Sequence, residues 1–185
     1  MKKSGYNWKH FKDHEFTDSD NAVKYNINNE PTAAEWTNIN NLVVNILDPL
    51  REAFGQPITV TSGFRCEKLN RVTKGSSKTS DHRTGCAADI TTGKRWLNGV
   101  LFEIIRKYYP YKQLICEHPD KDGNPSWVHV AFQDGNNRKD TLLIKKVLGK
   151  DRTYQWHPFP LNSAQKSKIA EMSKKIEEMS KKKSV

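Results

Sequence analysis

Apolar side chains recur three or four residues apart between Thr32 and Phe54, which places them along one face of a helix. Pro31 precedes this segment and Gly55 follows it, and these residue types commonly stand at the two ends of helices. The pattern predicts a long helix over residues 32–54 that buries one face. Its inward positions are Ala33, Trp36, Ile39, Leu42, Val43, Ile46 and Leu50.

Shorter patterns predict a second helix and four strands further along the chain. The helix spans about Gly99 to Tyr108 and turns its aliphatic residues inward. Runs of β-branched, aromatic or small residues predict the strands. The last two strands flank the turn-rich residues 120–125 and therefore predict a hairpin. The four strands cover residues 57–61, 86–91, 113–117 and 126–132.

Residues 8–22 and 74–84 lack this periodicity. The first segment is rich in aromatic side chains and contains the Thr17–Asp20 cluster, which suits a turn or a helix cap, so it predicts a packed N-terminal arm. The second segment is rich in glycine, serine, threonine and lysine, a composition that predicts a loop.

The composition shifts after Pro160 to serine, lysine, glutamate and methionine, which places a domain boundary near Leu161. We predict one domain over residues 1–160 and a basic tail, helical or disordered, over residues 161–185. Three interpretations of the tail stay open: a solvated segment, a self-associating coiled coil, or a basic helix that contacts an anionic envelope surface. The last two depend on an apolar stripe formed by Ile169, Met172, Ile176 and Met179.

Length and composition exclude several classes of protein. No apolar run approaches the roughly 18 residues of a membrane span, and the polar start lacks the apolar segment of a secretory signal, so we expect synthesis in the cytoplasm. Three cysteines without a Cys-x-x-Cys pair argue against a disulfide framework and an all-thiolate zinc site. The net charge of +10 suits nucleic acid, an acidic membrane or bacterial wall polymers without choosing between them.

Two histidines and one aspartate stand out as candidate metal ligands. His82 precedes a glycine turn, Asp89 lies on the strand that follows, and His129 lies on a later strand. Catalytic zinc typically keeps three protein ligands from histidine and carboxylate side chains and leaves the fourth position to water, whereas structural zinc fills all four positions. The pattern therefore predicts a zinc site with an open position.

Other residues suit the chemistry of a hydrolase. Glu117, on the strand before His129, is the nearest carboxylate that could act as a general base. Trp127 should share the face of His129 and form an apolar wall, while strand alternation should turn His118 to the opposite face. Arg65 could bind a substrate carboxylate or a developing oxyanion.

Three segments together resemble the zinc D-alanyl-D-alanine carboxypeptidases and their phage endolysin relatives, which share a fold with the hedgehog signalling domain. The segments are Ser62-Gly63-Phe64-Arg65, then Ser80 to Asp89 with the pattern Ser-x-His-x-x-Gly-x-Ala-x-Asp, then Trp127-Val128-His129. The likeness extends from Phe11 to about Phe159. It departs from the pattern of many relatives in that Glu117 lies well upstream of the last histidine and Trp127 replaces a histidine.

The resemblance implies an α+β domain with a small central antiparallel sheet and flanking helices. It also implies a zinc metallopeptidase that acts on bacterial peptidoglycan as a D,D-carboxypeptidase or endopeptidase in phage or prophage lysis. Its site would comprise zinc on His82, Asp89 and His129, Glu117 as general base, and Arg65 near the substrate. Ser80, a weaker candidate from its residue type, could hydrogen-bond to substrate. We expect a monomer without a specific nucleic-acid partner that reaches the wall or periplasm after release from the host cytoplasm.

Each candidate also has an ordinary structural interpretation. Asp89 could cap a helix, Glu117 could be a surface residue, and Arg65 could belong to a structural ion pair. Trp127 could be an ordinary core residue, as buried Cys86 and Cys116 are expected to be. At the level of the whole protein, the alternatives are a non-catalytic, zinc-containing wall-binding module and a basic nucleic-acid-binding protein.

Overall fold

The computed structural model describes residues 4–183 and contains a six-stranded sheet. The strand order is β1-β2-β4-β3-β5-β6, and neighbouring strands are antiparallel except β3 and β5, which are parallel. The strands are β1 Thr59–Ser62, β2 Ala87–Thr91, β3 Gln113–Glu117, β4 Trp127–Ala131, β5 Asp140–Val147 and β6 Lys150–Gln155. The four predicted strands and the α+β class are confirmed, whereas β5 and β6 were not predicted.

Seven α-helices accompany the sheet within the described residues. They are α1 Asp13–Thr17, α2 Asp20–Lys24, α3 Ala33–Leu42, α4 Asp48–Phe54, α5 Glu67–Val72, α6 Arg95–Tyr108 and α7 Ser163–Lys183. A π-helical turn, Val43–Leu47, joins α3 to α4, so the helix predicted over residues 32–54 is confirmed with one wider turn. Thr32 caps its start through a reciprocal hydrogen-bond pair with Glu35, and Gly55 ends it in the left-handed conformation.

Helix α6 begins four residues earlier than its apolar pattern predicts. Its first turn is held by Asn98, which is fully buried and accepts a hydrogen bond from the Thr92 amide at 2.8 Å. The Asn98 amide group donates to the carbonyl oxygens of Pro125 and Ser126. A polar side chain that satisfies strand and loop ends therefore starts the helix, and apolar periodicity cannot reveal such a start.

Alternation along the strands divides the sheet into a core face and an open face. Leu114, Cys116, Val128 and Val130 point to the hydrophobic core that also contains α3, α4 and α6. The intervening residues of the same strands, among them Ile115, Glu117 and His129, point to the other face. The candidate site residues on the strands therefore stand on a face that the core does not cover.

Helix α7 packs against the domain instead of standing free. Met172 is fully buried in the core, and Ile169, Ile176 and Met179 pack against it. Gln165 at the start of the helix is buried and donates to the Asn124 side chain at 2.7 Å. The apolar stripe of the tail thus faces its own domain and is not an exposed seam for self-association. No helix within residues 4–183 is both long and apolar enough to cross a bilayer.

Candidate metal centre

Three side chains predicted as metal ligands converge on the open face of the sheet. Asp89 on β2 and His129 on β4 are paired in register, so their side chains stand next to each other. His82 reaches them from the 3-10 turn Asp81–Thr84 that precedes β2. Because Asp89 lies within a strand, the interpretation of Asp89 as a helix cap is wrong.

The donor atoms of these residues form a small triangle. His129 Nδ1 lies 2.9 Å from Asp89 Oδ1, His82 Nε2 lies 3.2 Å from His129 Nδ1, and His82 Nε2 lies 3.3 Å from Asp89 Oδ1. Zinc bonds of 2.0–2.1 Å in a tetrahedron separate ligand atoms by about 3.3 Å. The three atoms can therefore form one face of a tetrahedral site, and the cluster could hold a metal ion.

His82 is oriented by the turn that follows β1. Its Nδ1 lies 2.6 Å from the Gly63 carbonyl oxygen, and its own carbonyl oxygen accepts a hydrogen bond from the Arg65 amide at 3.0 Å. An N–H on Nδ1 that donates to Gly63 leaves the Nε2 lone pair directed at Asp89 and His129. Metal-binding histidines are commonly fixed in this way by a backbone carbonyl.

Two glycines allow this turn and the 3-10 turn to pack as closely as they do. A Cβ atom on Gly63 would lie 2.5 Å from the Phe16 carbonyl oxygen, because α1 crosses directly over this turn. Gly85 ends the 3-10 turn with a φ of +73° and would bring a Cβ within 2.6 Å of the Glu35 carbonyl oxygen. The glycines of the two sequence motifs thus have a steric role in placing His82.

The protonation states in the cluster suit metal binding. Burial lowers the pKa of His82, which favours the neutral imidazole. Burial alone would raise the pKa of Asp89, but its contacts with His82 and His129 hold it well below its usual range. A neutral imidazole and an ionised carboxylate are the forms that bind metal ions.

Glu117 lies one strand away from His129 on the same face. It pairs with Trp127 across β3 and β4, and its side chain is largely buried, so the interpretation of Glu117 as a surface residue is not supported. Burial raises the pKa of Glu117 to about 7, with the charge of His129 acting in the opposite direction. A carboxyl that titrates near neutral pH can take up and release protons during a reaction.

Arg65 is fixed beside the cluster by two hydroxyl groups. Its Nη1 donates to Ser62 Oγ at 3.3 Å and its Nη2 donates to Ser80 Oγ at 3.4 Å. Its buried Nε has no hydrogen-bond partner among residues 4–183, and no carboxylate lies within ion-pair distance of it there. Ser80, expected to contact substrate, therefore holds Arg65 in this structure.

His118 occupies a place that strand alternation does not predict. It follows the end of β3 with a φ of +47°, which redirects its side chain. Its ring lies 5.1 Å from the Trp127 ring, and both residues line the cavity that contains the metal cluster. The expectation that His118 faces away from the site is wrong, whereas Trp127 lies on the predicted face.

The cluster opens into a cleft of about 650 Å³. All seven candidate residues line it: Arg65, Ser80, His82, Asp89, Glu117, Trp127 and His129. The loop at residues 73–80 forms one wall, and side chains of β5 and β6 form the opposite wall. Sequence reasoning missed these walls, although the glycine and serine content of the loop is typical of a segment beside a site.

Cys86 and Cys116 do not contribute to the cleft. Both are buried, and burial raises the pKa of each thiol, that of Cys116 to about 12. A thiol with a raised pKa is a poor nucleophile and a poor metal ligand at neutral pH. The prediction that both belong to or adjoin the core is confirmed.

Residues 9–131 match the protein family described as Peptidase M15. The matched segment covers more than half of the chain, includes all seven candidate residues and ends before β5 begins. No curated protein matches the chain.

Proposed function

The chain belongs to the peptidase M15 family, and from this premise we propose that it is a zinc-dependent peptidase that hydrolyses amide bonds in bacterial peptidoglycan. The triangle of donor atoms from His82, Asp89 and His129 carries the proposal, because three protein ligands leave one coordination position free. Glu117 and Arg65 in the same cleft supply the remaining functional groups of a hydrolytic site.

Each side chain has a distinct task in the proposed reaction. Zinc, when bound, supplies a Lewis acid that polarises the substrate carbonyl and makes water more acidic. Glu117 takes the proton from the attacking water and later gives it to the leaving amine, for which a pKa near neutrality is suited. Arg65, held by Ser62 and Ser80, stabilises negative charge on the carbonyl oxygen or binds a substrate carboxylate.

The wall of the cleft suits an extended peptide. Trp127 offers an apolar surface beside the metal cluster, against which a substrate side chain can pack. We propose that the protein acts at the wall or periplasm after release from a host cell, in phage or prophage lysis, and that it works as a monomer. A carboxypeptidase and an endopeptidase are both compatible with this cleft.

The decisive experiment incubates zinc-loaded protein with purified peptidoglycan and identifies the released fragments by mass spectrometry. We expect new amine ends from the wild type and none from Glu117→Gln, which keeps the size of the side chain but cannot accept a proton. Glu178→Gln is the matched control, since Glu178 is exposed on α7. His82→Ala should lose both zinc binding and hydrolysis.

Other results would change the conclusion. Stoichiometric zinc without any released amine would favour a non-catalytic wall-binding module. Hydrolysis by folded, zinc-free His82→Ala protein would refute the metal-dependent reaction. Tight, salt-sensitive binding of nucleic acid would favour the interpretation as a basic nucleic-acid-binding protein.

A further inference from the structure

Strands β5 and β6 form the part of the cleft beyond Glu117 and lie outside the segment that matches the family. Glu117 is in register with Ile144 on β5, and Ile144 is in register with Thr153 on β6. Two residues further along, Lys146 pairs with Asp151. Alternation therefore puts Asp151 on the same face as Glu117, and Ile144, Asp151 and Thr153 all line the cleft.

Among the carboxylates that line the cleft, Asp151 has neither a lysine or arginine ion-pair partner within the described residues nor a role in the proposed reaction. Of the four carboxylates that line the cleft, Asp81 is paired with Lys112 at 2.6 Å, Asp89 belongs to the metal cluster, and Glu117 is the proposed base. Among residues 4–183, no lysine or arginine nitrogen lies within 4.0 Å of the Asp151 carboxylate. Its basic neighbours are Lys146, which is paired with it across β5 and β6, and His118, with Nδ1 3.8 Å away.

The surroundings of Asp151 leave room for a ligand group. Its side chain is 46% exposed, and the loop on the opposite wall approaches it at Gly75, where an added Cβ would lie 3.8 Å from Asp151 Oδ2. The loop at Gly75 therefore already lies near van der Waals contact with Asp151 Oδ2, and a small cationic group would reach the carboxylate from its exposed side.

The floor between the metal cluster and Asp151 contains apolar side chains of β5, with Glu117 and Thr153 on either side of Ile144. Leu142 lies in the row of His129, and Lys146 opposite Asp151 is four residues further along β5, a distance of about 13 Å in a strand. Leu142 and Ile144 line this stretch. Methylene groups can pack on such a floor while a charged end reaches Asp151.

We propose that Asp151 binds an ammonium group at the end of a flexible aliphatic side chain of the substrate peptide. The inference rests on the proposed function, because it places this side chain relative to the bond that is cut. It makes the β5–β6 hairpin a specificity element that selects peptides with a free side-chain amine.

The test compares a wall-derived stem peptide that carries a free side-chain amine with the same peptide after acetylation of that amine. Zinc-loaded wild type should hydrolyse the peptide with the free amine with a kcat/KM about tenfold higher than that for the acetylated peptide. Tenfold is the lower end of what a hydrogen bond to a charged group contributes. Asp151→Asn should lose this preference and cleave the acetylated peptide as the wild type does. Asp134→Asn carries the same charge change on an exposed turn outside the cleft and should keep the preference.

A binding measurement separates this inference from the proposed function. Dissociation constants for both peptides are measured by calorimetry on zinc-loaded Glu117→Gln protein, with Asp151 intact or replaced by asparagine. Tighter binding of the free amine that depends on Asp151 supports the inference even when no peptide is hydrolysed. Equal affinities for the two peptides, or no binding of either, would overturn the inference. An equal loss of rate for both peptides in Asp151→Asn would also overturn it, because it indicates an effect on Glu117 and not on recognition of the amine.

Discussion

Glu117 is expected to lower the stability of the metal-free protein at alkaline pH. Burial raises the pKa of its carboxyl from 4.5 to about 7, so between these pH values the folded chain holds a proton that the unfolded chain has released. The free energy of unfolding therefore falls as the pH rises through this window, and the full cost is present above the pKa of the folded state. Glu117→Gln removes the titration and keeps the shape of the side chain.

The two pKa values give the size of the effect. Glu117→Gln should raise the free energy of unfolding by about 1 kcal/mol near pH 5 and by about 3 kcal/mol near pH 8. The assay is urea unfolding of chelator-treated wild type and variant at both pH values. His82, whose pKa is lowered, affects both proteins alike and cancels in the comparison. Glu178→Gln, which changes an exposed carboxylate, should show no such pH dependence.

Two outcomes would refute this reasoning. One is a stability difference that is the same at both pH values. The other is a variant that is less stable than the wild type near pH 8. Added zinc should reduce the difference between the proteins, because a nearby cation offsets the cost of the buried negative charge. The same carboxylate would then be costly for folding and necessary for hydrolysis, as is common for catalytic groups.

Three further substitutions test the packing and the metal cluster. Met172→Ala removes a fully buried side chain of α7 and should cost about 2–5 kcal/mol in urea unfolding, so an unchanged midpoint would show that the tail does not dock in solution. Gly63→Ala puts a Cβ 2.5 Å from the Phe16 carbonyl oxygen and should cost about 1–3 kcal/mol, whereas full stability would contradict the close approach of α1. Asp89→Asn should weaken zinc binding by more than about 100-fold in calorimetry, since outer hydrogen-bond partners alone contribute about 10–100-fold; unaltered affinity would remove Asp89 from the ligand set.

The metal cluster could be predicted because its residues are fixed by local sequence. His82 lies in a short turn immediately before β2, and Asp89 and His129 occupy strands that the apolar pattern reveals. Register alone could not be read from the chain, but a common set of ligands requires the two strands to be neighbours. Residue types and spacing therefore nominated the three ligands, and the resemblance of their motifs to a known family implied that they meet at one metal.

The opposite wall of the cleft could not be predicted for physical reasons. Strand β6 is exposed along its whole length and so lacks any apolar alternation. Strand β5 pairs with β3 in a parallel arrangement, and a parallel pairing of this kind has no short turn sequence from which it could be predicted. The backbone of His118 itself is left-handed, which breaks the strand alternation from which the direction of its side chain was inferred.

Strand β6 also bears on how the protein behaves in concentrated solution. It is an edge of the sheet, and its exposed sequence begins Lys150-Asp151-Arg152, a run of charges that discourages edge-to-edge pairing between molecules. The strand behind it contains Leu142, Leu143 and Ile144. A variant in which a glycine-serine linker replaces residues 150–155 and α7 is kept would present this apolar run as a free edge, and we expect it to aggregate more readily than the full chain.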